Sequence, residues 1–560
     1  MITLNLKGRV VIAIVALLVG GCAPSPRPRD ERLDLHAVRF DADGKTIDLQ
    51  TGKSRSSAQT KAQFDKILSA IDAAQSDRHT RRILLFVHGG LNKPEKVLDR
   101  IKDQLDEFEK HAVDFYPIYV VWDSSLDATY AEHLFAVRQG RKDSRTRAAA
   151  SLSWPIYLLS DIMRAAARAP TVWLQQRSTD DQAVAAAWAS MFGTDQEHAA
   201  PATRPAASTR PARTQAWLHH PRNDKTVASF DVLYDKYLAD WHANGKQTSQ
   251  IAISIGQDYS EPSDWMGRGF VYSLTFPTKM LTSPLIDALG SAGWRDMSRR
   301  TQTIVEGASD FEIGQGNIRD YVNSGAPGGL DAFFRRLASR QHDPRPGHPS
   351  YDITLVGHSM GSMVLNEALR RQTQREQDGG DALPVTRIIY MAAACSIRDF
   401  TESVIPFLAL HEHERTRFYN LCLHPTAELI ESNAYDIPPR GSLLAWIDDF
   451  LTEPSTPLDR TLGRWENLVQ VPYVIPAKMR GRVAIKAFDL LRPGEAWYAR
   501  PDPQPQQHGD FSGAPYWDEN FITPTPPEDT GQRHIKSATT RRVGNLEREA
   551  QQQQQGAAEK

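Results

Sequence analysis

Gly357-His358-Ser359-Met360-Gly361 places a serine midway between two glycines, a G-x-S-x-G spacing. A serine on a sharp turn projects its hydroxyl, and glycines at the flanks let the elements on either side approach closely. A hydroxyl so placed, with a base to take its proton, attacks carbonyl carbon. The flanks fit this geometry. Asp352-Ile353-Thr354-Leu355-Val356 is a short apolar, β-branched run that reads as a buried strand. Ser362 to Leu369 has helical spacing and good helix formers. Strand, tight turn and helix are therefore predicted here, with Ser359 as the nucleophile.

A second stretch complements the first. Arg82-Ile83-Leu84-Leu85-Phe86-Val87 is another apolar strand, and it runs into His88-Gly89-Gly90-Leu91-Asn92. Glycine suits a backbone that must itself face a substrate. The two motifs, in this chain order, resemble the α/β-hydrolase superfamily, over roughly residues 80–125 and 350–520 in segments. The resemblance implies an α/β-hydrolase fold, a mostly parallel sheet flanked by helices. It implies an oxyanion hole made by the N–H of Met360 and that of Gly90 or Leu91. It also implies the order Ser, acid, His. The acid position after the strand Arg417–Leu423 offers Glu428, and Asp399, one strand earlier, is the alternative. The base must come late, which selects His508 in Gln507-His508-Gly509-Asp510-Phe511. His424 is the alternative, although it precedes Glu428. The implied reaction is hydrolysis of carboxylic esters, lipid or acyl esters among them, through an acyl-enzyme. It needs no metal or organic cofactor, and transfer to an alcohol other than water stays open.

Several elements must hold these residues. Val38–Phe40 and Ile47–Leu49 read as a hairpin across Ala42-Asp43-Gly44. Lys61 to Ala74 is a helix with Phe64, Ile67, Leu68 and Ile71 on one face, and Lys96 to His111 is another. Asp114 to Trp122, Thr386 to Met391, Arg417 to Leu423 and Val483 to Phe488 read as strands. Between Trp122 and the nucleophile strand lie roughly 230 residues, far more than an ordinary crossover needs. Their pattern is mostly helical, with apolar weight in Trp154–Ala167, Phe230–Ala243 and Val271–Gly290. A lid around Phe270 and Phe276, a plainly packed helix, or a membrane-surface contact would each account for it. The expected organisation is 37–126 and 351–522 as the two parts of the core, with 127–350 as a helical insertion or cap. A disordered linker is expected at 201–214 and a disordered tail at 523–560.

The N-terminus points to a compartment. Lys7 and Arg9 precede the apolar run Val10–Leu18, and Val19-Gly20-Gly21-Cys22 follows. This resembles a bacterial lipobox, which implies a signal peptide over 1–22, lipid on Cys22 and a tether over 23–36. Ala23 after the cysteine implies sorting to the outer membrane, facing the periplasm. The anchor would make the membrane one partner and a small-molecule or lipid ester the other. A net charge of −2 on 560 residues argues against nucleic acid. No Cys/His cluster has zinc spacing. The α/β-hydrolase resemblance implies that the strands near Cys395 and Cys422 are neighbours, so the two would form a disulfide or remain as buried thiols. A different class of function also fits, a non-catalytic envelope lipoprotein that uses the scaffold for binding.

Overall fold

The parallel strands are near-continuous apolar runs because both faces of their sheet are covered. In the computed structural model, residues 30–524 are described, except 193–250, 308–327, 143–153, 342–350, 432–440 and the short stretches 79–81, 112, 136, 139–140, 257–258, 260–261, 412–415 and 453. The signal peptide with Cys22, the 201–214 linker, Phe230–Ala243 and almost all of the C-terminal tail lie outside the described residues.

Nine strands form one sheet: β1 Ala37–Phe40, β2 Thr46–Ile47, β3 Arg82–Val87, β4 Tyr116–Trp122, β5 Ala252–Ile255, β6 Asp352–His358, β7 Val385–Met391, β8 Arg417–Cys422 and β9 Val483–Ala487. Their order is β2-β1-β4-β3-β6-β7-β8-β9-β5. Only the β1–β2 pair is antiparallel. This is a mostly parallel mixed sheet flanked by helices, of the α/β class. The register brings the two motifs together. Val87 lies opposite Gly357, so the turn after β3 leaves the sheet beside the turn after β6. His358 lies opposite Met391. The chain enters the sheet at Ala37, the starting end of β1, which runs parallel to β4. Both turns lie at the other end, where the parallel strands finish.

The flanking helices follow their sequence patterns. α1 Ser57–Arg78 buries Phe64, Ile67, Leu68 and Ile71. α2 Pro94–Lys110 opens on a proline in its first turn and buries Val97, Leu98, Ile101, Leu105 and Phe108, one face of a 3.6-residue period. The nucleophile helix is α7 Gly361–Gln377, and α8 Ile397–Leu410 follows β7.

The expected helical insertion is corrected in one respect. It does contain helices: α3 Leu126–Phe135, α4 Trp154–Phe192, α5 Pro262–Glu306 and α6 Gly329–Gln341. It is not, however, a cap separate from the core. β5 comes from inside it and closes the edge of the main sheet beside β9. A side chain at Gly256 would collide with the Phe488–Asp489 backbone, so glycine permits that close approach. Trp294, Met297, Ile304, Val305, Leu330, Phe333, Phe334 and Leu337 belong to the main apolar core. The lid expectation around Phe270 and Phe276 falls on side chains outside the described residues. On α4, Ile156, Leu159 and Met163 are exposed.

Candidate active site

Ser359 has φ 52°, the left-handed region that an ordinary side chain avoids. Neighbouring backbone holds it there. Its N–H donates to the Met391 carbonyl (2.9 Å), and its own carbonyl accepts from the N–H of Ala394 (3.1 Å) and the hydroxyl of Ser362 (2.6 Å). The glycines are required by space. A Cβ on Gly361 would stand 2.1 Å from the Val87 carbonyl oxygen, and one on Gly357 would stand 2.9 Å from the Ser362 nitrogen. The turn therefore packs against the end of β3 with no room for a side chain.

The His-Gly-Gly turn lies directly on this elbow. A Cβ on Gly89 would be 2.8 Å from Cβ of Ser359, and one on Gly90 would be 2.5 Å from the Met360 sulfur. The Gly89 carbonyl accepts from Asn92 Nδ2 (3.0 Å), Ser124 Oγ (3.3 Å) and the His88 ring (2.7 Å). In a trans peptide the N–H of Gly90 points opposite that carbonyl. Three donors thus fix the direction of one backbone N–H. Of the two oxyanion alternatives, Leu91 is corrected: its N–H donates to the Ser124 carbonyl (2.8 Å) and is taken. Neither Met360 nor Gly90 gives its N–H to a protein acceptor among the described residues.

Two histidines flank the elbow in opposite tautomers. His88 accepts at Nε2 from the Trp122 N–H (3.1 Å) and donates from Nδ1 to Gly89. His358 donates from Nε2 to the His508 carbonyl (3.0 Å), which leaves its buried Nδ1 bare and without a partner. Burial lowers both rings to about 4, so both are neutral at pH 7.

His508 opens a 3₁₀ turn, His508–Gly513, that the Asp510 carboxylate caps by accepting from the N–H groups of Gln506 and Gln507 (both 2.9 Å). Its ring lies 5.1 Å from that of His358, centroid to centroid. Burial, and then the neighbouring His358, hold it well below the ordinary histidine value. Glu428 sits on α9 Pro425–Ile430, one turn beyond β8, and is buried. The Ser442 hydroxyl donates to its Oε2. Burial pushes its carboxyl up to about 8, against the opposing pull of Ser442 and the Arg464 guanidinium. No hydrogen bond joins Ser359 to His508 or His508 to Glu428. Instead, Ser359 Oγ, both ring nitrogens of His508 and Glu428 Oε1 are all buried without a partner. Buried polar atoms are rarely left so, and exceptions call for a functional reason.

The alternatives are otherwise engaged. Asp399 is held through one oxygen by Arg370 and through the other by Asn366, on the α7 side. His424 caps α9, with Nδ1 accepting from the Thr426 N–H (3.2 Å). Cys395 and Cys422 are buried free thiols. Sequence reasoning missed Ser124 and Asn92, which aim the glycine turn, and Glu431, whose Oε2 accepts from the backbone N–H of His508 (3.0 Å). An Asn two residues after a Gly-Gly pair was a usable signal. Glu431 and His508 are 77 residues apart, and no local pattern links them. Among the described residues no cluster of three or more His, Cys, Asp or Glu could hold a metal ion, and no helix is long and apolar enough to cross a membrane. No known protein family, curated protein or solved structure matches this chain.

Proposed function

We propose that this chain is a serine hydrolase of carboxylic esters on an α/β-hydrolase fold. The observation that carries the reading is the left-handed Ser359, packed by glycine contacts against a His-Gly-Gly turn. Strain at a single non-glycine residue persists where function requires it. The strand order supports the reading, since the His-Gly-Gly strand β3 is hydrogen-bonded to the nucleophile strand β6.

In this mechanism Ser359 Oγ attacks the ester carbonyl while His508 takes its proton. The oxyanion receives the N–H groups of Met360 and Gly90, already aimed before substrate arrives. The C–O bond breaks, and His508 returns the proton to the leaving alkoxide. Water, deprotonated by the same imidazole, then releases the acid. Glu428 orients the ring and stabilises its cation once the base swings within reach. The lipobox-like Val19-Gly20-Gly21-Cys22 motif supports placing this enzyme on a lipid anchor in the bacterial envelope.

A non-catalytic scaffold is favoured by one observation: the His508 nitrogens and the protonated Glu428 carboxyl are not linked. Labelling with a fluorophosphonate probe separates the two readings. Wild type takes up the probe and Ser359→Ala does not. Equal labelling of both, or none of wild type, refutes the hydrolase.

A further inference from the structure

The backbone of His508 is held from two sides by side chains. Its N–H donates to Glu431 Oε2 (3.0 Å) and its C=O accepts from His358 Nε2 (3.0 Å). One of these residues lies next to the nucleophile in the chain. The other sits one helical turn past Glu428. Its own carbonyl accepts from the Gly441 N–H (2.9 Å), which ties it to the acid loop. Neither contact uses the imidazole, whose nitrogens stay free.

We propose that His358 and Glu431 are positioning residues, a clamp that fixes the His508 backbone between nucleophile and acid loop, from where its ring can turn toward Ser359. The proposal rests on the hydrolase reading and adds to it two residues that never touch substrate. The physical need is specific. His508 opens a 3₁₀ turn, with Pro505 before it and Gly509 next in the chain, on the segment Pro501–Tyr516 that has no long helix or strand to hold it. A base on such a segment needs external anchors, because a displacement of about 1 Å can cost about 100-fold in rate. A charged or amide acceptor on one side and an N–H donor on the other supply them at hydrogen-bond length. His358 suits the donor role because burial keeps it neutral with its proton on Nε2, so it adds no positive charge beside the base.

The test uses the full chain, p-nitrophenyl butyrate for steady-state rates and a fluorophosphonate probe for labelling. Glu431→Leu removes the acceptor, and Glu431→Gln keeps a carbonyl oxygen at the same reach. His358→Phe removes the donor and keeps a ring, and His358→Gln restores an N–H. Each removal should lower kcat and the labelling rate about 100-fold with KM little changed, and each conservative variant should lie within about 10-fold of wild type. In a His508→Ala background, Glu431→Leu should cost nothing further, because its effect passes through His508. Thermal melting identifies a variant that has failed to fold, and the Gln variants then carry the comparison with Glu431→Asp, whose shorter arm should lose the contact and the rate. The clamp is overturned if removal and conservative variants fall alike, if KM moves in place of kcat, or if Glu431→Leu still lowers the rate without His508. The hydrolase reading fails separately. Retained labelling in Ser359→Ala refutes it whatever the clamp variants do. Loss there, with wild-type rates in Glu431→Leu and His358→Phe, refutes the clamp alone.

Discussion

The two halves of the candidate site are built in different ways. The nucleophile half consists of backbone: two turns pressed together at glycine positions, with every orienting hydrogen bond formed. The base-and-acid half consists of side chains from distant segments; both His508 ring nitrogens and Glu428 Oε1 are unpartnered, as Ser359 Oγ is, while Glu428 Oε2 accepts from Ser442. On the proposed reading, the first half needs no movement to bind an oxyanion. The second needs the His508 ring to turn toward Ser359 and the Glu428 carboxyl to ionise. Rigid electrostatic groups are thus separated from the groups that must change protonation, and each kind can be broken independently.

The largest effect should come from the base-and-acid half. His508→Ala should lower kcat by about 10³- to 10⁴-fold, as removal of a triad base does. Glu428→Gln should cost about 10²-fold, and Asp399→Asn should leave kcat within about threefold, because Asp399 is spent on Arg370 and Asn366. Steady-state rates on p-nitrophenyl butyrate check the ranking. A heavier loss in Asp399→Asn than in Glu428→Gln would move the acid one strand earlier.

The rigid half should break by clash. Gly361→Ala forces a methyl into the Val87 carbonyl and should cost about 3 kcal/mol, seen in a melt or denaturant titration. Gly90→Ala meets only the flexible Met360 side chain, so the fold should survive while acylation slows about 10-fold. If both variants are equally unstable, the glycine turn is structural packing and not an aimed donor.

The pH dependence sharpens the comparison. Burial, and then the neighbouring His358, hold the His508 imidazole well below the ordinary histidine value, which favours its neutral form. Burial, with the Asp510 charge, raises Glu431 to about 7 against the His508 N–H bond, and Glu428 lies at about 8. The rise of kcat/KM through this window should therefore report the Glu428 carboxyl. Glu428→Gln should remove that step, and Glu431→Gln should keep it, because a neutral carbonyl oxygen still accepts from the His508 N–H. A single limb below 6.5 in all three proteins would assign the profile to the imidazole alone.

The smallest effect is on stability. A carboxyl raised in the folded state stabilises fully below its ordinary value of 4.5, and that contribution is lost as pH rises through about 8. Wild-type Tm should thus decline by about a few degrees from pH 6.5 to 8, above the range in which the histidines act, and Glu428→Gln should flatten the decline. The rigid half contributes the opposite slope: burial holds its histidines at about 4 against an ordinary 6.5, which costs stability at low pH, and that cost fades as pH rises to about 6.5.

The same division explains what the sequence made legible. Ser359, Met360, Gly89 and Gly90 stand in two short runs whose flanking strands announce themselves by unbroken apolar character, and the elbow and strand boundaries follow. Leu91 was open because only the fold shows its N–H spent on Ser124. β5 was missed because four residues, Ala252–Ile255, carry too little pattern inside a long helical stretch. Glu431 was missed because its role is a contact with a backbone N–H 77 residues away, for which any acceptor would have served the composition equally well.

The polarity of the sheet also sets how far the candidate site lies from the chain's point of entry. The chain enters where β1 begins, and the elbow sits where β6 ends, with the depth of a strand, about 20 Å, between them. Seven residues separate Cys22 from Asp30, and fully stretched they span at most about 25 Å. A leash that long exceeds the depth of the sheet, so an anchor at Cys22 would hold the molecule near the membrane without deciding which end of the sheet faces it.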